Sequence, residues 1–338
     1  MFSTKGGVSA SPMTGLPWHL LGSRGASGFG ASSTAEEVAA GWDGSGKTVL
    51  ITGAGTGLGL ESARVLAARG AEVVIAVRDA AKGNAAAASI KAQVPGARVG
   101  VLALDLASLE SVKDCATAFA ASGRPLHVLM LNAGVMACPF ALTKDGHEMQ
   151  FGTNHLGHHA LVHHLQPALE ATAAASGEPG RVIVLSSSAH FGPYMPEGVR
   201  QEDTIDSPEG YSQWGSYGQS KLCNALFARE LHRRWSAAGL PLVAVACHPG
   251  VIPASELFRH ITLPWPVHQA ASLALRPFFK SLAQGAATQT YLATAAAVPS
   301  LSGEYFADCN LSPSSPLSHD MGLAARLWAM SDKMCGFA

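Results

Sequence analysis

Tyr217 and Lys221 stand four residues apart in Tyr217-Gly-Gln-Ser-Lys221. On a helix that spacing puts both side chains on one face, about one turn apart. A phenol ordinarily titrates near pH ~10. A neighbouring ammonium favours the phenolate, as would the positive ring of an oxidised nicotinamide. Such a pair can exchange a proton with an alcohol or carbonyl near neutrality. Ser187 follows a strand-like run, Arg181 to Leu185, and is placed to hydrogen-bond the substrate oxygen as negative charge builds. A tyrosine and a lysine at this spacing are common by chance, so the reading depends on what precedes them.

What precedes them is Thr48 to Asp79, which reads strand, glycine turn, helix, strand. Val49 to Thr52 is a short apolar run, Glu61 to Arg69 has helical spacing with a stop at Gly70, and Ala71 to Val77 is a second buried strand. Glycines at 53, 57 and 59 lie between the first strand and the helix. A dinucleotide pyrophosphate needs the free N–H groups of a helix N-terminus and a backbone without side chains. Gly53, Thr56, Gly57, Leu58 and Gly59 are therefore the expected pyrophosphate contacts. The spacing G-x-x-x-G-x-G differs from the commoner G-x-G-x-x-G. At the end of the second strand Arg78 precedes Asp79. An arginine there suits the 2′-phosphate of NADP(H), the favoured cofactor; the alternative gives Asp79 the ribose of NAD.

The rest of the chain must position these groups. Strands are expected at Val99 to Leu104, Leu126 to Leu131, Arg181 to Leu185, Leu242 to Ala246 and Ser302 to Phe306. Helices are expected at Ala80 to Ala92, Ser108 to Ala121, Gly146 to Leu169, Tyr217 to Trp235, Ser281 to Ala297 and Gly322 to Asp332. Strand and helix alternate, which implies an α/β doubly wound sheet of about seven mainly parallel strands, with helices on both faces. Residues 190–216 read as an irregular, substrate-side flap. The segment 251–275 is apolar and is expected to line the same pocket.

The chain has 338 residues, 48% hydrophobic and 14% charged, with net charge −1. That fits a single domain over 46–338 after a leader. A near-neutral charge gives no footprint for nucleic acid. The six cysteines form no C-x-x-C pair and read as free thiols. No apolar run is long enough for a transmembrane helix. Residues 1–45 are rich in Gly, Ser and Ala, with no acid before Glu36. They read as a flexible or partly helical leader, either an organelle transit peptide or an untargeted one. Trp18, Leu20 and Leu21 leave open a peripheral membrane contact, and Thr34 reads as a helix cap. His155 and His159 are spaced to share a metal, but no H-E-x-x-H and no third ligand is evident, so a packed or solvated histidine face is expected and no metal.

Together these residues resemble the short-chain dehydrogenase/reductase family, from about Gly46 to the C-terminus. Thr52 to Gly59 is similar to its T-G-x-x-x-G-x-G, and Asn132-Ala133-Gly134 to its N-A-G. The resemblance implies a Rossmann-type fold and a catalytic tetrad of Asn154, Ser187, Tyr217 and Lys221. In that family the asparagine supports a helix bend and a proton-relay water. It further implies that Asp105 and the adjoining Leu106 lie at the adenine. Asn132, Ala133 and Gly134 would line the cofactor, as would Tyr217 and Lys221, the lysine also holding the nicotinamide ribose. Pro249-Gly250 would form the turn beside the nicotinamide. The family's usual threonine after that turn is replaced near Ala254, with Ser255 one place later.

Thr153 to His158, Ser220 to Asn224 and His248 to Gly250 are similar to the branch holding retinol dehydrogenases and WW-domain oxidoreductases. Gly25 to Phe29, Ser33 to Val38 and Met136 to Phe140 resemble members of the chloroplast inner-envelope protein-import complex. These resemblances imply a small apolar carbonyl or alcohol as substrate. The alternative is an NADPH-sensing or scaffold role at the plastid envelope, with import-complex subunits or calmodulin as partners. Arg229, Arg233, Arg234 and Trp235 are the candidate calmodulin contact, together with the C-terminal helix.

Overall fold

A computed structural model describes residues 24–252 and 279–338. Eight strands form one sheet in the order β3-β2-β1-β4-β5-β6-β7-β8. They are β1 (Thr48–Thr52), β2 (Glu72–Val77), β3 (Arg98–Ala103), β4 (Val128–Leu131), β5 (Gly180–Leu185), β6 (Leu242–His248), β7 (Tyr305–Ala307) and β8 (Asn310–Leu311). All pair in parallel except β7 with β8, which is antiparallel. The expected count of about seven omits only the two-residue β8.

Alternation along each strand divides the core. Val49, Ile51, Val73, Ile75 and Ile183 face one side, against Leu66 of α2 (Gly57–Ala68) and Ile90 of α3 (Ala80–Gln93). Leu50, Val74, Leu129, Val182 and Val184 face the other. There they meet Phe119 of α4 (Leu109–Ala121) and, beyond it, the two long helices that carry the expected chemistry. A strand buried on both faces is largely apolar, and β1 and β4 are fully buried, with Thr48 and Thr52 only at the ends of β1. The order reverses between β1 and β4, so a crevice opens at their carboxyl ends.

The helix expected at Gly146 to Leu169 begins instead with α5 (Met149–Phe151). It widens to a π-turn over Gly152–Leu156 and continues as α6 (Gly157–Ser176). Helix α7 (Gln213–Ala237) starts four residues before Tyr217, because Ser212 caps the N–H of Gly215. The helix expected at Ser281 to Ala297 divides into α8 (Leu282–Gly285) and α9 (Ala287–Thr294), and α10 (Met321–Met334) closes the chain.

The segment expected to be a leader is packed onto the domain from residue 24. Thr34 and Glu37 form a capping box on the short helix Ala35–Val38, and Ala35 and Ala39 are fully buried. Asn310 clasps the same segment: its Oδ1 accepts Ser27 N–H (3.0 Å) and its Nδ2 donates to Phe29 O (3.0 Å). Trp18, Leu20, Leu21, Ala254, Ser255 and most of the apolar 251–275 segment lie outside the described residues. Among the described residues no helix is long and apolar enough to cross a membrane.

Candidate active site

The glycine turn and the Asn132-Ala133-Gly134 turn meet at the crevice. Gly53 and Gly57 have φ of +69° and +59°, and a Cβ on Gly53 would lie 2.9 Å from Ala133 Cα. On Gly59 it would lie 2.6 Å from Asn132 Nδ2 and 2.8 Å from Gly53 O. Among the described residues, no atom outside the local helix stands within 4 Å of a Cβ built on Gly57. Thr56 is the N-cap of α2 and its side chain accepts no cap hydrogen bond. The N-terminal N–H groups of α2 are thus left for an anion, with a glycine surface before them. Leu58 turns inward and is buried against Ile252 and Ala286.

Thr52, which carried no role in the sequence reading beyond opening the motif, ties the two turns together. Its hydroxyl accepts the N–H groups of Asn132 (2.9 Å) and Ala133 (3.0 Å). Its proton therefore goes to Nε2 of His158, 2.9 Å away. That fixes the His158 tautomer: Nδ1–H donates to Asn154 O at 3.0 Å. His158 is buried, which holds its imidazole neutral by pushing its pKa down to about 4. No spacing in the sequence could single out this histidine among its neighbours.

Asn154 sits in the middle of the π-turn, fully buried. Its Oδ1 accepts Val135 N–H (2.8 Å), and its Nδ2 donates to Val135 O (2.9 Å) and Ser220 Oγ (2.9 Å). The side chain is committed to the turn after Gly134, so the helix distortion and the cofactor-side turn are one unit. Ser187 lies two residues beyond β5 and hydrogen-bonds Tyr217. Ser187 is itself held by His190, whose Nε2 accepts Ser315 N–H (2.9 Å) and whose Nδ1–H therefore donates to Ser187 O (2.6 Å).

Tyr217 is 6% exposed and Lys221 4%. Lys221 Nζ lies 5.7 Å from the Tyr217 ring centroid and donates to Leu185 O at 3.1 Å. Burial raises the Tyr217 hydroxyl to about 12, and the hydrogen bond from Ser187 only partly offsets it. Burial also lowers Lys221 to about 8. The lowering of the phenol expected from its ammonium neighbour is not seen: desolvation sets the direction and the Ser187 hydrogen bond alone opposes it. At neutral pH the pair is a neutral phenol beside a mostly charged amine, a proton donor in place.

Asp79 is exposed. Its Oδ1 caps α3, accepting the N–H groups of Ala81 (2.9 Å) and Lys82 (3.1 Å). Arg78 is exposed at the end of β2. Asp105 is also engaged, Oδ1 with Ala107 N–H (3.1 Å) and Oδ2 with Lys144 (3.2 Å), and Leu106 is buried beneath Gly157. Gly250 has φ +88°, with Lys280 packed over it.

The flap expected over residues 190–216 is held by Glu148. Its carboxylate accepts Gln150 N–H (2.9 Å), Phe151 N–H (2.8 Å) and the Ser216 hydroxyl (2.6 Å). Phe191, Met195 and Trp214 are each more than half exposed. The Trp214 ring meets Tyr217 edge-on at 6.2 Å.

The basic end of α7 is not a free amphipathic face. Trp235 is buried and donates to Gln166 Oε1 (3.0 Å), while Arg233 and Arg234 pair with Glu230. The sequence-level histidine pair also diverges: His155 Nε2 meets Ser331 Oγ and His159 Nε2 meets Asp332.

The profile of the short chain dehydrogenase family matches residues 47–198. Short-chain dehydrogenase TIC 32 A, chloroplastic, of Brassica napus is 42% identical over 315 residues, 93% of this chain and 97% of its own length. Human retinol dehydrogenase 12 is 41% identical over 291 residues, covering 86% of this chain and 87% of its own. A crystal structure of an uncharacterized protein from Mycobacterium paratuberculosis superposes with a TM-score of 0.68 at 37% identity, covering 90% of this chain and 98% of that one. The chain belongs to the short-chain dehydrogenase/reductase family and is an oxidoreductase of Rossmann fold.

Proposed function

We propose that the protein is an NADP(H)-dependent reductase of carbonyl groups on apolar small molecules, working reversibly with the alcohols. The observation that carries this is the buried Tyr217 phenol, hydrogen-bonded to Ser187 and one turn from Lys221. The residues present fit a dinucleotide: an uncapped helix N-terminus, a bare glycine turn, and an Asn132-Ala133-Gly134 turn fixed by Thr52 and Asn154. When bound, the cofactor supplies the hydride. Ser187 and Tyr217 hold the substrate oxygen, and Tyr217 delivers its proton as that oxygen becomes an alkoxide. Lys221, near neutral pH, keeps positive charge close to the phenolate left behind. Asn154 keeps the helix distorted and the adjoining turn in register.

NADP(H) over NAD(H) rests on Arg78 and Asp79. One oxygen of the carboxylate that would take a ribose hydroxyl, Asp79 Oδ1, is occupied in capping α3, whereas the exposed arginine is placed to meet a phosphate. An apolar substrate is supported by the exposed Phe191, Met195 and Trp214, the last against the Tyr217 ring. The test is NADPH oxidation with a panel of aldehydes, ketones and quinones, with NADH in parallel and Tyr217→Phe as control. Turnover lost in the variant supports the reading; tight NADPH binding without turnover on any carbonyl sinks it.

A second reading is favoured by the relative from Brassica napus, whose similarity runs along nearly its whole length. In that reading the chain is an NADPH-sensing or scaffold subunit of a chloroplast protein-import complex at the inner envelope. Fractionation of plastids that found the protein solely in the stroma, in no larger assembly, would remove its basis.

A further inference from the structure

On the face of α6 away from the cofactor crevice, the last helix brings a carboxylate to two histidines. His159 and His163 are four residues apart on α6, and Asp332 comes from α10. Asp332 Oδ1 lies 2.7 Å from His159 Nε2 and 3.1 Å from His163 Nε2. One ligand atom from each residue falls within 4.8 Å of the other two. We propose that His159, His163 and Asp332 form a binding site for a divalent transition metal, zinc foremost, that fastens α10 to α6.

The geometry and the chemistry agree. Zinc bonds of ~2.0–2.2 Å to nitrogen and oxygen separate tetrahedral ligand atoms by roughly 3.3 Å. The two Asp332 contacts already approach that edge, so a small outward movement admits the ion. Two imidazoles and one carboxylate suit zinc, cobalt or nickel, and are poor ligands for calcium or magnesium. His159 is fully buried, so its ring is held by its surroundings: Trp328 meets it edge-on at 4.8 Å, and Phe227 lies tilted against it at 5.2 Å. Phe337 stacks on His163 at 4.4 Å. These rings close the site on its protein side.

The side chains of His163 and Asp332 are 28% and 21% exposed, while His163 Nε2 itself is shut from solvent and has no hydrogen-bond partner among the described residues, an unmet lone pair aimed at Asp332. The nearby guanidinium of Arg234 is paired with Glu230 (2.8 Å), so the Asp332 charge remains available to a cation. His159 Nδ1 has no hydrogen-bond partner among the described residues. The proton a metal-bound imidazole carries there would go unaccepted, so chelators are expected to strip the ion.

The test is calorimetric titration of zinc chloride into the full, tag-free chain after treatment with a chelator, with thermal melts beside it. One zinc per chain and a rise in Tm with zinc are expected. His163→Ala, at the partly exposed ligand, should keep the metal-free melt and weaken zinc at least ~10-fold. Asp332→Asn should do the same to zinc, even if it loosens α10. Cys335→Ser should bind as the parent does. The proposal is overturned if no stoichiometric zinc binds, if His163→Ala binds unchanged, or if the zinc follows Cys335.

Discussion

Acid should open this protein before it protonates most carboxylates, and His158 shows why. The ring is buried between Thr52 Oγ and Asn154 O, and its pKa is pushed from 6.5 to about 4 by burial. In the unfolded chain it titrates normally. Between those two values the unfolded state binds more protons than the folded one, so stability falls as pH falls. The shift amounts to about 3 kcal/mol for this residue, all of it lost once the pH is below 4.

His155, His159, His163 and His190 are lowered by burial as well and act in the same direction. His147 acts oppositely, because its bond to Asp206 raises it. A protonated His158 also has no lone pair for the Thr52 hydroxyl, so the turn at Asn132 and Ala133 loses its support together with the fold. Denaturant titrations from pH 7.5 to 4.5 should show unfolding free energy falling by at least about 1.4 kcal/mol per pH unit below pH 6. His158→Gln should reduce that slope by up to one proton, whatever it does to stability at pH 7.5. A flat profile, or a slope unchanged in the variant, would refute the assignment of His158 as a buried neutral base.

Tyr217→Phe should abolish turnover while leaving NADPH affinity within about 0.5 kcal/mol, since only a hydroxyl is removed; stopped-flow turnover and fluorescence binding separate the two. Arg78→Ala should weaken NADPH by about 10- to 100-fold, the value of a charge-assisted hydrogen bond, and leave NADH nearly unchanged; cofactor titrations read this directly. Gly59→Ala should cost about 1–3 kcal/mol in a denaturant melt, because its Cβ meets the Asn132 amide at 2.6 Å and backbone at 2.8 Å. Glu148→Gln should destabilise by about 1–3 kcal/mol and raise KM for substrate, since an amide cannot accept from Gln150, Phe151 and Ser216 on both of its ends.

Much of the frame was legible because it follows from period and punctuation. The two-residue alternation within Val49 to Thr52 divides side chains between two cores, and the glycines mark where backbone approaches backbone. What escaped the sequence depends on partners far along the chain. The helix bend at Asn154 is expected only from the family resemblance; nothing local shows it, because the partners of Asn154 are Val135 and Ser220. The burial that raises Tyr217 comes from the whole fold, not from any residue near it in sequence. The third side chain facing a histidine pair on α6 is Asp332, at the far end of the sequence, and it selects His159 with His163 over His155 with His159. Helix α7 starts early because Ser212 caps it, a signal present in the sequence but masked by the glycine and tryptophan after it.

The clasp of Asn310 on residues 27–29 has a consequence for how the chain comes to be folded. Its two hydrogen bonds join residues 283 and 281 positions apart. The short helix after them packs against α9, which is also made late. While the chain leaves a ribosome, residues 24 to 39 can meet α2, through Arg64 on Glu36 and Val65 beside Ala35, but not α9 or Asn310 until almost all of the protein has emerged. Contacts of such long range form slowly, since loop closure precedes any gain. The clasp on residues 27–29 is therefore the last part of the N-terminal segment to close, and those residues stay accessible to chaperones through most of synthesis.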